Sequence, residues 1–136
     1  MTAQGMPERG RCDDAPPPEL QKAISEFNGG EWFECHETLE ELWVGEKGAL
    51  RDFYQGVLQV AVALYHWRNG NFKGAEGLLG RAADLLRRVP RSCLGVDVAR
   101  LVAEADVLHE ALLFLGEERM GELDPALIPK LHPPAP

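Results

Sequence analysis

Nowhere does the chain stay apolar for the roughly 18 residues that a membrane-spanning helix requires. Met1–Gly10 also lacks the basic start and apolar middle of a secretory signal. A cytoplasmic location is the default expectation. Basic residues are scarce: 14 Lys and Arg stand against 22 Asp and Glu, a formal net charge of −8. A field of that sign repels phosphate backbones and anionic lipid, so neither nucleic acid nor a membrane is an expected partner. Cysteine is limited to Cys12, Cys35 and Cys93, an odd number without paired spacing. That pattern reads as reduced thiols, not as a disulfide frame or a zinc knuckle. Also missing are the G-x-S-x-G, Walker and G-x-G-x-x-G segments of familiar enzyme classes, and any repeat of solenoid type.

What remains is a chain of 136 residues, 45% hydrophobic, enough for one domain with a core and too short for two ordinary ones. Residues 1–17 carry almost no large apolar side chain and read as a flexible N-terminal tail, with Met6 an alternative start. Residues 117–136 hold five prolines and read as an extension lying over the surface, pinned by Leu123, Leu127, Ile128 and Leu131. Between them, residues 18–116 form the helical domain.

Five helical segments and no strand are expected there. The first runs from Pro18 to Asn28 and stops at Gly29-Gly30; the second runs from Glu31 to Val44; the third runs from Ala49 to Arg68 and stops at Asn69-Gly70. Asn71 is placed to cap the fourth, which continues to about Arg88. Asp97 is placed to cap the fifth, ending near Gly116. The fourth and fifth carry apolar stripes at helical spacing, through Leu79, Leu86, Leu101, Leu108 and Leu112. Short connections make neighbours antiparallel, so the expected fold is all-α, a compact antiparallel bundle of about five helices with extended tails.

One stretch is shaped like a site. On a helical wheel at ~100° per residue, His36 and Glu40 fall amid Trp32, Phe33, Leu39, Trp43 and Val44, one turn apart. Glu31, Glu34, Glu37 and Glu41 fall on the opposite, solvated side. The third segment is apolar nearly all round, except for a line through Gln55, Gln59 and His66 that Arg51 and Asp52 extend. If these two segments form a hairpin, equal distances from the turn set Glu40 beside Gln55 and His36 near Gln59, with Arg51 in reach of Glu40 or Glu41. His66 lies further along, away from Glu40.

The same residues carry a resemblance. "FNGGEWFECHETLEELW" followed by "RDFYQGVLQVAVALYHWRNGNFKGA" resembles the bacterial and archaeal family known as domain of unknown function 309. The shared pattern is an aromatic residue and H-E-x-x-E-x-x-W, then Q-G-hydrophobic-hydrophobic-Q and H-x-x-x-G-N-x-x-G-A. The resemblance covers residues 27–75. It implies a small all-helical fold with His36, Glu37, Glu40, Trp43, Gln55, Gly56, Gln59, His66, Gly70, Asn71 and Gly74 at family-type positions. It implies no activity.

Four readings follow. In the first, the cluster is mainly structural: an inward His36/Glu40/Gln55/Gln59 network, with Arg51, that fixes helix register because a mispaired buried polar group costs about 1–3 kcal/mol. It expects Glu40→Ala to destabilise strongly. In the second, a divalent metal sits on His36, Glu40 and His66, and H-E-x-x-E, with Glu37, serves a hydrolase-like enzyme. A third is metal-free acid–base chemistry at His36 and Glu40. The fourth is binding or assembly: self-association through the fourth or fifth helix, or a small polar ligand between His36, Gln59 and His66.

Overall fold

The computed structural model of the protein describes residues 11–136 and contains five α-helices in that range. They are α1 (Pro18–Asn28), α2 (Trp32–Val44), α3 (Gly48–Arg68), α4 (Phe72–Leu86) and α5 (Val98–Arg119). Each packs on the next in sequence, as short connections require, and α3 against α4 is the most extensive contact. Helix α3 is apolar on most sides because it is enclosed: Leu50, Phe53, Val57, Val60, Ala61 and Leu64 are all buried. At Gly56 the enclosure leaves no room for a side chain, since a Cβ there would lie 2.6 Å from the Leu86 side chain of α4. No helix among the described residues is long and apolar enough to cross a membrane.

The sequence punctuation acts as expected at several boundaries. Gly30 and Gly70 take φ of 78° and 79°, the left-handed conformation that closes α1 and α3. The Asn71 side chain accepts from the Gly74 N–H, and Asp97 accepts from Arg100. Helix α5 breaks at Gly116, with φ 75° and ψ 177°, and only one further turn follows.

Two expectations need correction. Between α4 and α5 lies a small antiparallel ladder of β1 (Ser92–Cys93) and β2 (Val96–Asp97), where no strand was expected. Two residues per strand are too few to show an alternating pattern. Its two-residue loop, Leu94-Gly95, has positive φ at both positions (49° and 78°), as a tight hairpin turn demands. Leucine is strained there. Burial of its side chain and a 2.7 Å hydrogen bond from its N–H to the Cys12 carbonyl hold it in place.

The second correction concerns the thiols. Cys12 and Cys93, 81 residues apart in sequence, are joined as a disulfide with their Cα atoms 4.3 Å apart. Sequence spacing gave no sign of this, because distant partners meet only once the bundle forms. Cys35 alone is free. Around the disulfide, residues 11–17 are anchored on the core. Pro16 covers Gly95, and Arg11 makes a two-pronged pair with Glu46 at 2.9 and 2.5 Å. The rest of the expected N-terminal tail, Met1–Gly10 with Met6, lies outside the described residues.

At the other end of the chain, Trp67 Nε1 donates to the Met120 carbonyl at 3.0 Å, and two short 3-10 turns follow (Met120–Glu122 and Pro125–Leu127). Leu123 and Leu131 are buried, and Leu127 and Ile128 pack against the core. The Asn28 side chain both accepts from the Leu131 N–H and donates to its carbonyl, at 2.7 and 3.0 Å. The next residue, His132, accepts from the Asp97 N–H.

Candidate functional site

Helix α2 is wedged between α1 and α3, and the side facing both neighbours is set by Trp32, Cys35 and Leu39, with Leu42 packed behind them. Trp32 Nε1 donates to the Phe27 carbonyl, and the Cys35 thiol donates to Ala23 at 3.4 Å. Burial pushes that thiol up to about 12, with the Glu26 charge adding to it, so Cys35 is inert at neutral pH. The buried face is therefore turned about a quarter of a circle from the one drawn through His36 and Glu40. Two large apolar residues misled that drawing, since Phe33 and Val44 are 46% and 67% exposed.

The consequences for the expected cluster are direct. Among the described residues no charged or polar side chain is buried. Glu37 and Glu40 are exposed; His36, Gln55, Gln59 and His66 are partly covered. Arg51 does not pair with Glu40 or Glu41 but lies over the Trp43 ring, 4.6 Å from its centroid. Gln59 Oε1 is shut off from solvent without a protein partner, as is Trp43 Nε1, which a register-fixing network would have satisfied. The inward His36/Glu40/Gln55/Gln59 network is not what joins α2 to α3. Nor do His36, Glu40 and His66 converge: among the described residues no three His, Cys, Asp or Glu side chains stand where they could share a metal ion.

What the structure does bring together is His36 and His66. Both line a cleft of about 140 Å³ with Trp32, Phe33, Val62 and Tyr65. The ligand reading groups His36 and His66 with Gln59, which does not line the cleft; counting equal distances from the turn sets Val57–Gln59 opposite His36 because it ignores side-chain direction. Helical side chains lean towards their own N-terminus, so on antiparallel helices those of α2 lean away from the turn while those of α3 lean back towards it. Residues of α3 about one turn further along thus meet His36. That lean was the signal available for Tyr65 and Phe33, which the sequence reading passed over, and for Trp32, which its wheel gave only an apolar wall.

The rings meet at angles. Phe33 lies 5.7 Å from Tyr65 and 6.2 Å from His36, and Tyr65 lies 6.3 Å from His66, with interplanar angles of 41°, 43° and 54°. His66 is held from behind by α4. Asn71 Oδ1 accepts from the Gly74 N–H at 3.0 Å, so its amide nitrogen faces His66 Nδ1 at 3.3 Å as a donor. The neutral ring therefore carries its proton on Nε2. The ring edge also seats on Gly74, where a Cβ would come within 2.8 Å of His66 Cδ2 and 2.7 Å of the Asn71 amide. Arg68 stacks 4.5 Å from the Trp32 ring centroid and donates to the Gly30 carbonyl at 2.7 Å.

Comparison with known proteins bears on the same segment. Residues 20–78 match the family model described as "Domain of unknown function (DUF309)". Over 85 residues the chain is 36% identical to "Uncharacterized protein YpuF" of Bacillus subtilis (strain 168), covering 60% of this chain and 49% of that protein. It is 25% identical over 85 residues to an "Uncharacterized protein" of Aquifex aeolicus (strain VF5), covering 62% of this chain and 26% of the relative. The match thus spans about half the length of the first relative and about a quarter of the second. All six cleft residues fall inside the matched segment. Residues 20–78 are thus similar to the DUF309 family of domains of unknown function, a likeness that carries no activity with it.

Proposed function

We propose that the protein is a ligand-binding module whose site is the cleft between the start of α2 and the end of α3. One observation carries this: two histidines and three aromatic rings converge on an open hollow, with no hydrogen bond joining α2 side chains to α3 side chains there. A purely structural seam would close such a gap with aliphatic packing. At about 140 Å³ the hollow is close to the ~150 Å³ apolar cavity that admits a single benzene ring, so it suits one small group. A fragment library titrated into labelled protein is the test, read at the His36 and His66 ring signals and in Trp fluorescence. Binders should perturb both histidines together and lose affinity in Tyr65→Ala. A library that leaves both rings unmoved would remove the reading.

A second reading concerns assembly. Along α5, Val107, Leu113 and Phe114 are 52%, 53% and 81% exposed, more apolar surface than the helix needs for its own packing. Self-association through this helix would cover them. Sedimentation of the wild type beside Phe114→Glu tests it: a dimer in the first and a monomer in the second is the expected result, and a monomeric wild type would end it.

A further inference from the structure

We infer that the group the cleft receives is a compact organic cation, a methylated ammonium head group; the inference rests on the cleft being a ligand site. Its walls are the first reason. Of the six lining residues, five are rings and the sixth is Val62. Neighbouring rings stand at 41° to 54° to one another around the hollow, and the faces of Trp32, Phe33 and Tyr65 carry the negative potential that attracts a cation able to shed its water cheaply. An ammonium carrying methyl groups is such a cation. It needs no hydrogen-bond acceptor, and the lining offers no carboxylate.

Charge around the mouth is the second reason. Helix α2 contains four glutamates (Glu34, Glu37, Glu40 and Glu41) and no lysine or arginine. None of the four takes part in an ion pair among the described residues. Glu40 is exposed one helical turn beyond His36, so its charge stands beside the opening, while Glu34, Glu37 and Glu41 line a separate hollow with Lys22 of α1. The ends of α2 and α3 lie side by side with opposite partial charges, so the helix dipoles largely cancel and the side chains decide. An anion would meet Glu40 and the negative field of the helix, against one guanidinium, Arg68, which is already engaged with Trp32 and the Gly30 carbonyl. That stack is an internal precedent: one face of the cleft's own tryptophan holds a cation.

The experiment is a titration of the full chain with choline and with its uncharged isostere 3,3-dimethyl-1-butanol, followed at the His36 and His66 signals. Choline should bind about tenfold or more tightly than the isostere, the ratio expected of a partly desolvated cation–π contact, and should weaken as salt rises. Phe33→Leu, at an exposed position, should cut choline binding by a similar factor with the thermal midpoint unchanged. Tyr65→Phe, which keeps the ring, should preserve binding, and Tyr65→Leu should not. Equal binding of choline and isostere would overturn the cation while leaving the cleft a ligand site. Fragments that bind when choline does not would do the same. A cleft that no probe enters removes both readings. The head group has two sources, a free small molecule or a methylated lysine side chain. An acetylated trimethyllysine amide run beside choline separates them, since the tighter of the two identifies the source.

Discussion

The hairpin of α2 and α3 has two ends that the protein treats in opposite ways. At the turn, residues 11–17 are tied down by the Cys12–Cys93 disulfide, the Arg11–Glu46 pair and the Leu94–Cys12 hydrogen bond, and part of the segment lines a hollow with the buried Leu50, Tyr54 and Leu94. At the open end, where α2 starts and α3 stops, Phe33 remains 46% exposed and the rings of His36, Tyr65 and His66 surround a hollow. The disulfide and the two-pronged ion pair stand at the turn. At the open end ring contacts predominate, with hydrogen bonds from Trp32 to Phe27, Arg68 to Gly30 and Asn71 to His66 holding the walls. Residues recruited for stability and residues available for recognition are thus divided along one pair of helices.

The sharpest way to break this division is at the disulfide. Replacing Cys12 and Cys93 together by serine should lower stability by about 2–4 kcal/mol, since the cross-link closes a long loop in the unfolded chain. Urea denaturation checks it, and reductant added to the wild type should reproduce the shift. The His36 and His66 signals should stay where they are in the folded variant. A midpoint that ignores both treatments would mean the pairing adds nothing, and moved histidine signals would mean the two ends are coupled.

Glycine substitutions sharpen the comparison from the other side. Gly56→Ala should cost about 1–3 kcal/mol by forcing Leu86 out of its seat, with little effect at the cleft. Gly74→Ala should also destabilise, and should in addition shift the His66 ring signals, because its new methyl meets His66 and Asn71. Comparison of thermal midpoints with ring chemical shifts separates the two. Identical spectral changes in both variants would show that His66 is not seated on Gly74.

The smallest effect is expected at Glu40. Exposed and unpaired among the described residues, it should tolerate Glu40→Ala within about 0.5 kcal/mol by chemical denaturation. A large loss would restore the inward network that sequence reading favoured.

That contrast also shows what could be read from sequence. Helix boundaries were legible because local chemistry sets them: Gly30 and Gly70 in the left-handed region, Asn71 and Asp97 as caps, Pro18 at a helix start. The buried face of α2 was not, because apolar size alone favoured Phe33 and Val44, whereas the neighbours of the helix selected Cys35 and Leu39. His36 and His66 were picked out as ionisable groups in apolar surroundings, yet their meeting depended on the opposed lean of side chains on antiparallel helices. The disulfide and the four-residue ladder depend on contacts between distant segments, which no local pattern encodes. With Cys12 and Cys93 joined, the cysteines no longer argue for a reducing compartment.

The bonds between Asn28 and Leu131 set an order on events. They link positions 103 residues apart, and Trp67 reaches 53 residues to Met120. During synthesis, α1 to α4 can emerge and pair with near neighbours while the end of α1 still waits for a strand of chain that has not been made. Closure of the bundle is therefore a late step, and a translation pause after α4 would hold a partly assembled helix stack with the Asn28 amide still open to water.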